Sequence, residues 1–166
     1  QVTYEQFVTY ERLQPVAYPA YGETRMRLVV VGQAPALAAV DVWVDGQKVW
    51  ENVQAITPAT LDSYRAVDYR KVEPGNHTVT VTPVGQTTPL VSQVVAIQPG
   101  VGYSLVVMGN ANPVLNVVTD EGATPPNFEH RYLRFYQAAD PERRISVLIN
   151  GAPFFENLTY EQLSQY

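Results

Sequence analysis

Val40-Asp41-Val42-Trp43-Val44-Asp45-Gly46-Gln47-Lys48-Val49-Trp50-Glu51-Asn52-Val53 is the stretch whose reading decides the fold. Val40, Val42 and Val44 alternate with Asp41, Trp43 and Asp45, the period of a half-buried strand. Asp45-Gly46 predicts a two-residue type I′ turn, because both central residues of that turn need positive φ. Lys48-Val49-Trp50 then reads as the returning strand. The pattern recurs as Ile145-Ser146-Val147-Leu148-Ile149-Asn150-Gly151, followed by Ala152-Pro153-Phe154-Phe155-Glu156-Asn157-Leu158. With Gly46 set on Gly151, the pairs Val42/Val147, Val44/Ile149, Asp45/Asn150, Glu51/Glu156, Asn52/Asn157 and Val53/Leu158 fall into register. This is an internal repeat, so the fold is to be read in repeat units.

A chain of 166 residues has room for one good core and a fraction of another. Hydrophobic content of 46% against 16% charged places it among globular proteins. A net charge of −5 argues against a nucleic-acid partner, which needs clustered Lys and Arg. No apolar run approaches a membrane span, so no membrane insertion is expected. With 0 Cys there are no disulfides, thiolate metal sites or cysteine nucleophiles. The 13 Pro and 11 Tyr lean toward an exported β-protein with rigid turns. Opening at Gln1 suits a processed mature N-terminus and an arbitrary start equally. An extracellular or cell-surface location is the expectation.

Outward from the hairpin, Arg25 to Val31 reads as an apolar strand, and Gln33-Ala34-Pro35-Ala36 as a turn. Leu61 to Val67 could be a strand or one helical turn, and a strand is preferred. Pro74-Gly75 and Pro99-Gly100 each suit a type II turn, and an alternating strand follows each. Pro89 to Ile97 lies between them, and Val114 to Val118 closes the unit. About eight short strands with turn signals every 8–12 residues or so predict an antiparallel β-sandwich over 25–119. Residues 1–24 read as an extended arm and a proline-rich linker, since Pro15, Pro19 and Gly22 interrupt regular structure. A first strand pairing within its own chain is the plainer reading of the arm. Residues 120–130 form a linker by composition. Residues 131–166 start a second copy that stops partway, with Arg131-Tyr132-Leu133-Arg134-Phe135-Tyr136 set loosely on Arg25–Val31. Its few strands cannot cover both faces of a sandwich. Phe135, Tyr136, Leu148, Phe154, Phe155 and Leu158 would then stay partly wet, at roughly 1.5–3 kcal/mol per buriable side chain.

Ala34-Pro35-Ala36, Val40-Asp41-Val42-Trp43-Val44-Asp45-Gly46 and Pro74-Gly75 before a Thr/Val strand carry a resemblance. They resemble a family of exported bacterial repeats catalogued as a domain of unknown function, with a signature near A-P-A-V-D-V-Y-V-D-G. The chain departs from that signature in the extra residues between Ala36 and Val40, and Ser146 replaces the first Asp in the second copy. The resemblance implies an immunoglobulin-like sandwich in tandem on exported proteins. It brings no catalytic motif. The expected fold class is therefore all-β, an antiparallel immunoglobulin-like β-sandwich plus a second, truncated copy of the repeat.

Chemistry has few footholds. Asp41 and Asp45 share a strand face, but Ca²⁺ wants about six to eight oxygens in a loop, so a solvated face is preferred. His77 and His130 have no second ligand at metal spacing. Ser63 and Ser104 lack a nucleophile-elbow setting. No enzyme activity, metal or cofactor is expected. Asn76 and Asn157 head sequons, which matter only where exported chains are glycosylated. Trp43, Trp50, Tyr64 and Tyr69 could line a sugar platform, although packing against neighbouring strands is the commoner use of such aromatics.

Two readings of function follow. The first is a non-enzymatic structural subunit of a surface assembly or filament, with itself as partner. Thr3-Tyr4-Glu5-Gln6-Phe7-Val8-Thr9-Tyr10 nearly repeats Thr159-Tyr160-Glu161-Gln162-Leu163-Ser164-Gln165-Tyr166. An arm bearing Val2, Tyr4, Phe7 and Tyr10 would add as a strand to an acceptor formed by Phe135, Leu148, Phe154, Phe155 and Leu158 of another copy. The second reading is an adhesion module that binds glycan or another surface protein.

Overall fold

The computed structural model describes residues 22–32, 34–57, 67–109, 112–120, 135–137 and 142–164. The described chain is all-β. Its strands are β1 (Arg25–Val31), β2 (Ala39–Val44), β3 (Gln47–Gln54), β4 (Arg70–Lys71), β5 (Gly75–Pro83), β6 (Val91–Ile97), β7 (Gly102–Met108), β8 (Val114–Thr119), β9 (Ile145–Ile149) and β10 (Ala152–Leu158). A 3-10 turn at Pro35–Leu37 buries Leu37. No described helix is long and apolar enough to cross a membrane.

The hairpins form where local chemistry asks for them. Asp45 and Gly46 have φ of 51° and 79°, and Val44 pairs with Gln47 across a two-residue turn. Asn150 and Gly151 have φ of 53° and 82°, and Ile149 pairs with Ala152. Gly100 has φ of 75°, as the type II turn at Pro99-Gly100 requires. Pro74-Gly75 does not make that turn. Gly75 has φ of 142° and opens β5 opposite Ile97, so strand pairing claims the glycine instead.

Eight strands lie in two sheets, ordered β4-β1-β7-β8 and β3-β2-β5-β6. Alternation supplies the core between them. Met26, Leu28 and Val30 of β1 and Tyr103, Leu105 and Val107 of β7 meet Val40, Val42 and Val44 of β2 and Val79 and Val81 of β5. Each such side chain contributes about 1.5–3 kcal/mol on burial. Trp50 and Val53 of β3 are both buried although three residues apart. Asn52, with φ of 52°, lies between them in an irregular part of the ladder, and such a bulge resets which face each residue presents.

One expectation needs correction. The sheets are not wholly antiparallel, because β1 runs parallel to β7 from Arg25↔Gly102 to Val31↔Met108. All the intervening strands lie between these two in sequence, which supplies the long crossover that parallel pairing needs. The strand expected over 61–67 falls mostly outside the described residues, and the short β4 follows it. Among the described residues the hairpin β9-β10 is a separate two-stranded sheet.

Candidate functional site

The second hairpin copies the first down to its backbone irregularity. Asn157 has φ of 55°, close to that of Asn52. In the first unit the Asn52 N–H donates to Asp41 Oδ1 at 2.9 Å. In the second the Asn157 N–H donates to Ser146 Oγ at 3.3 Å. A polar side chain on the first strand thus holds the bulge of the second in both units.

Cover is where the two hairpins differ. β2 is paired on both edges, by β3 and by β5. Among the described residues β9 is paired on one edge only, by β10. The apolar face feels this. Val44 is 8% exposed, whereas its counterpart Ile149 is 39% exposed. Val42 is buried, whereas Val147 is half-buried. A two-stranded sheet is marginal in water and benefits from any further strand.

The predicted acceptor residues divide. Leu148 and Phe154 are exposed at 56% and 53%. Phe135 and Phe155 are half-buried, and the Phe155 ring stands edge-on to that of Phe154 at 4.7 Å. Leu158 is buried at 4%, against expectation, because register shifts before it turn it to the covered side. The segment after β10 also folds back. The Ser164 N–H donates to Phe135 O at 2.8 Å, and the Phe135 N–H donates to Ser164 Oγ at 2.8 Å. A cleft of about 280 Å³ lies between β8 and this segment, lined by Asn116, Val118, Tyr136, Glu161 and Leu163 among others. Burial, and then the Glu161 carboxylate, push the Tyr136 hydroxyl pKa up. The arm residues Val2, Tyr4, Phe7 and Tyr10 lie outside the described residues. The sequon asparagines Asn76 and Asn157 are both exposed.

The outward side of the first hairpin is more structured than a solvated face. The Asp41 side chain is only 3% exposed and meets Lys48 Nζ at 2.8 Å. Lys48 also lies 5.0 Å from the Trp43 ring centre, a cation–π distance. Hydrogen bonds from Lys48 and from the Asn52 N–H hold the Asp41 pKa below the ordinary carboxylate value. Asp45 turns away from this group and bonds His77 at 2.6 Å. Among the described residues no cluster of three His, Cys, Asp or Glu is placed to hold a metal.

Of the four aromatics that could line a platform, the three described ones do not meet. Trp50 is in the core, Trp43 is on the outer side of its sheet, and Tyr69 belongs with β1 of the other sheet. Tyr64 lies outside the described residues. Sequence reasoning missed what Tyr69 does. Its hydroxyl donates to Asp120 Oδ2 at 2.6 Å, Ser104 Oγ donates to Asp120 Oδ1 at 2.7 Å, and Arg27 Nε donates to Ser104 Oγ at 2.8 Å. Arg25 and Arg27 both lie over the Tyr69 ring, at 5.2 and 5.0 Å. The Ser104 hydroxyl accepts from Arg27 and donates to Asp120, and so links β1 and β7 to the residue after β8. The available signal was Ser104 itself, a polar residue within an apolar strand.

No curated protein matches the chain. Residues 26–143, more than half the chain, match a family described as Domain of unknown function (DUF4397). The match begins in β1, spans both four-stranded sheets and reaches the segment before β9. The chain therefore belongs to the DUF4397 family.

Proposed function

We propose that the protein is a non-enzymatic structural subunit of an extracellular or cell-surface assembly, whose copies join into a filament by β-strand donation. In this reading residues 25–119 are one complete repeat, immunoglobulin-like in its two layers, and 131–166 are an incomplete repeat that accepts a strand. The observation that carries it is β9, unpaired on one edge among the described residues and with Ile149 39% exposed. The arm of another copy is the donor. Its Val2-Thr3-Tyr4 and Val8-Thr9-Tyr10 share the pattern of Val79-Thr80-Val81 in β5, the strand that fills the corresponding edge of β2. Donor and acceptor are different surfaces, so the contact is heterologous and propagates as a filament unless it closes into a ring.

The test compares the full chain with a form lacking residues 1–12, by light scattering and negative-stain microscopy. Large particles from the full chain that vanish on deletion support strand donation. The same particle size from both forms, or a monomeric full chain, overturns it.

Exposed Leu148 and Phe154 favour a second reading, an adhesion module whose partner is another surface protein or a glycan. Sugar binding by dispersed monomers on a glycan array, lost on Phe154→Ser, would support that reading over the first.

A further inference from the structure

His77 is bound through both ring nitrogens. Nδ1 lies 2.6 Å from Asp45 Oδ2, and Nε2 lies 2.7 Å from the backbone oxygen of Glu73. Both partners are acceptors only. A neutral imidazole has one N–H and would turn a lone pair toward one of these oxygens. The imidazolium has two N–H groups and satisfies both. The contacts therefore select the charged ring.

Three pieces of chain meet at this ring. Asp45 belongs to the β2–β3 turn, and its other carboxylate oxygen accepts the Thr78 N–H at 2.8 Å. Glu73 lies between β4 and β5, and His77 itself is in β5. From β6, Val95 stands opposite His77 and brings no charge. Among the described residues Asp45 is the carboxylate the ring touches. The second unit has Asn150 where the first has Asp45, so its turn has no anion to offer an imidazolium.

We propose that His77 is a pH-operated clamp, whose imidazolium ties the Asp45-Gly46 turn and the Glu73 segment to β5 and whose deprotonation frees one of the two ties. The clamp stands independently of the assembly reading. The hydrogen bond to Asp45 raises the pKa of His77 above the ordinary 6.5, and the same contact lowers that of Asp45. The clamp is closed in mildly acidic medium. It opens as pH rises through the raised His77 value, and again in strong acid as Asp45 takes up a proton. The end of the sheet that carries the exposed Asn76 becomes responsive to pH.

The experiment is ring-nitrogen NMR of the full chain carrying His130→Gln, which leaves His77 as the sole histidine. At about pH 6 both ring nitrogens should carry protons in most molecules. The His77 pKa should lie above 6.5, and Asp45→Asn should weaken its proton binding by about tenfold. A ring with one N–H at that pH overturns the clamp, even if Asp45→Asn fails to fold. So does a midpoint at or below 6.5, or one that Asp45→Asn leaves in place.

Discussion

Asp41 and Lys48 form a salt bridge of 2.8 Å across the first hairpin, with the carboxylate 3% exposed and the ammonium 31% exposed. In the second hairpin the same two places hold Ser146 and Pro153, so both charges are gone together. The shared element is the hydrogen bond to the bulge amide, from Asn52 to Asp41 and from Asn157 to Ser146. The bond to the bulge is thus common to both units, and the charge pair is an addition of the first.

Asp41→Ala should cost about 1–3 kcal/mol in chemical denaturation, because it strips the partner from the Asn52 N–H and leaves Lys48 without its buried anion. Asp41→Ser with Lys48→Pro, which copies the second hairpin, should cost less than Asp41→Ala alone. The pKa of Asp41 is depressed in the folded state, so its contribution is present above 3.8 and fades as pH falls through the lower folded value. Denaturation midpoints of wild type and Asp41→Ala should therefore converge in acid.

Gly46→Val should destabilise by about 1–2 kcal/mol, the cost of left-handed backbone for a residue with Cβ. Nothing lies within 4 Å of a Cβ built there, so the penalty is conformational rather than steric. An unchanged melting temperature would refute the type I′ turn.

Trp50→Phe should cost much less than Trp50→Ala, because an aromatic ring keeps most of the site filled. Trp50 Nε1 is buried with no hydrogen-bond partner among the described residues, and the matching place in the second hairpin is Phe155. Removing an unpaired donor offsets part of the lost volume. Trp50→Ala, which empties the site, should cost about 3–5 kcal/mol. Thermal or urea unfolding of the two variants separates these cases.

Tyr69 should ionise late. Burial first, and then the hydrogen bond to Asp120, push its pKa from 10.0 to about 12. The unfolded chain loses this proton at lower pH than the folded one, so the contribution of Tyr69 to stability falls as pH rises between these values. Tyrosinate absorbance should show a late-titrating tyrosine that Tyr69→Phe removes and Asp120→Asn shifts to lower pH.

Both hairpins are legible in the amino-acid sequence, because their information is local. Asp45-Gly46 and Asn150-Gly151 ask for positive φ at neighbouring residues, and alternation assigns faces on either side. The repeat register of Asn52 and Asn157 is legible too, but not its meaning, since a bulge appears only when two strands are paired. Leu158 is expected wet because so few strands cover the second copy, yet it is buried beyond shifts in the β10 register. The parallel partnership of β1 with β7 leaves no trace in either strand. Arg27 and Ser104, joined at 2.8 Å, lie 77 residues apart, and no local preference encodes such a meeting. Asp41 is outward by parity and outward in the fold, yet it is buried by Lys48 and the bulge amide that pairing brings to it. Turn chemistry and alternation act over a few residues and can be read from the chain. Sheet order, the cover over an outward carboxylate and the charge state of His77 depend on groups that folding alone brings together.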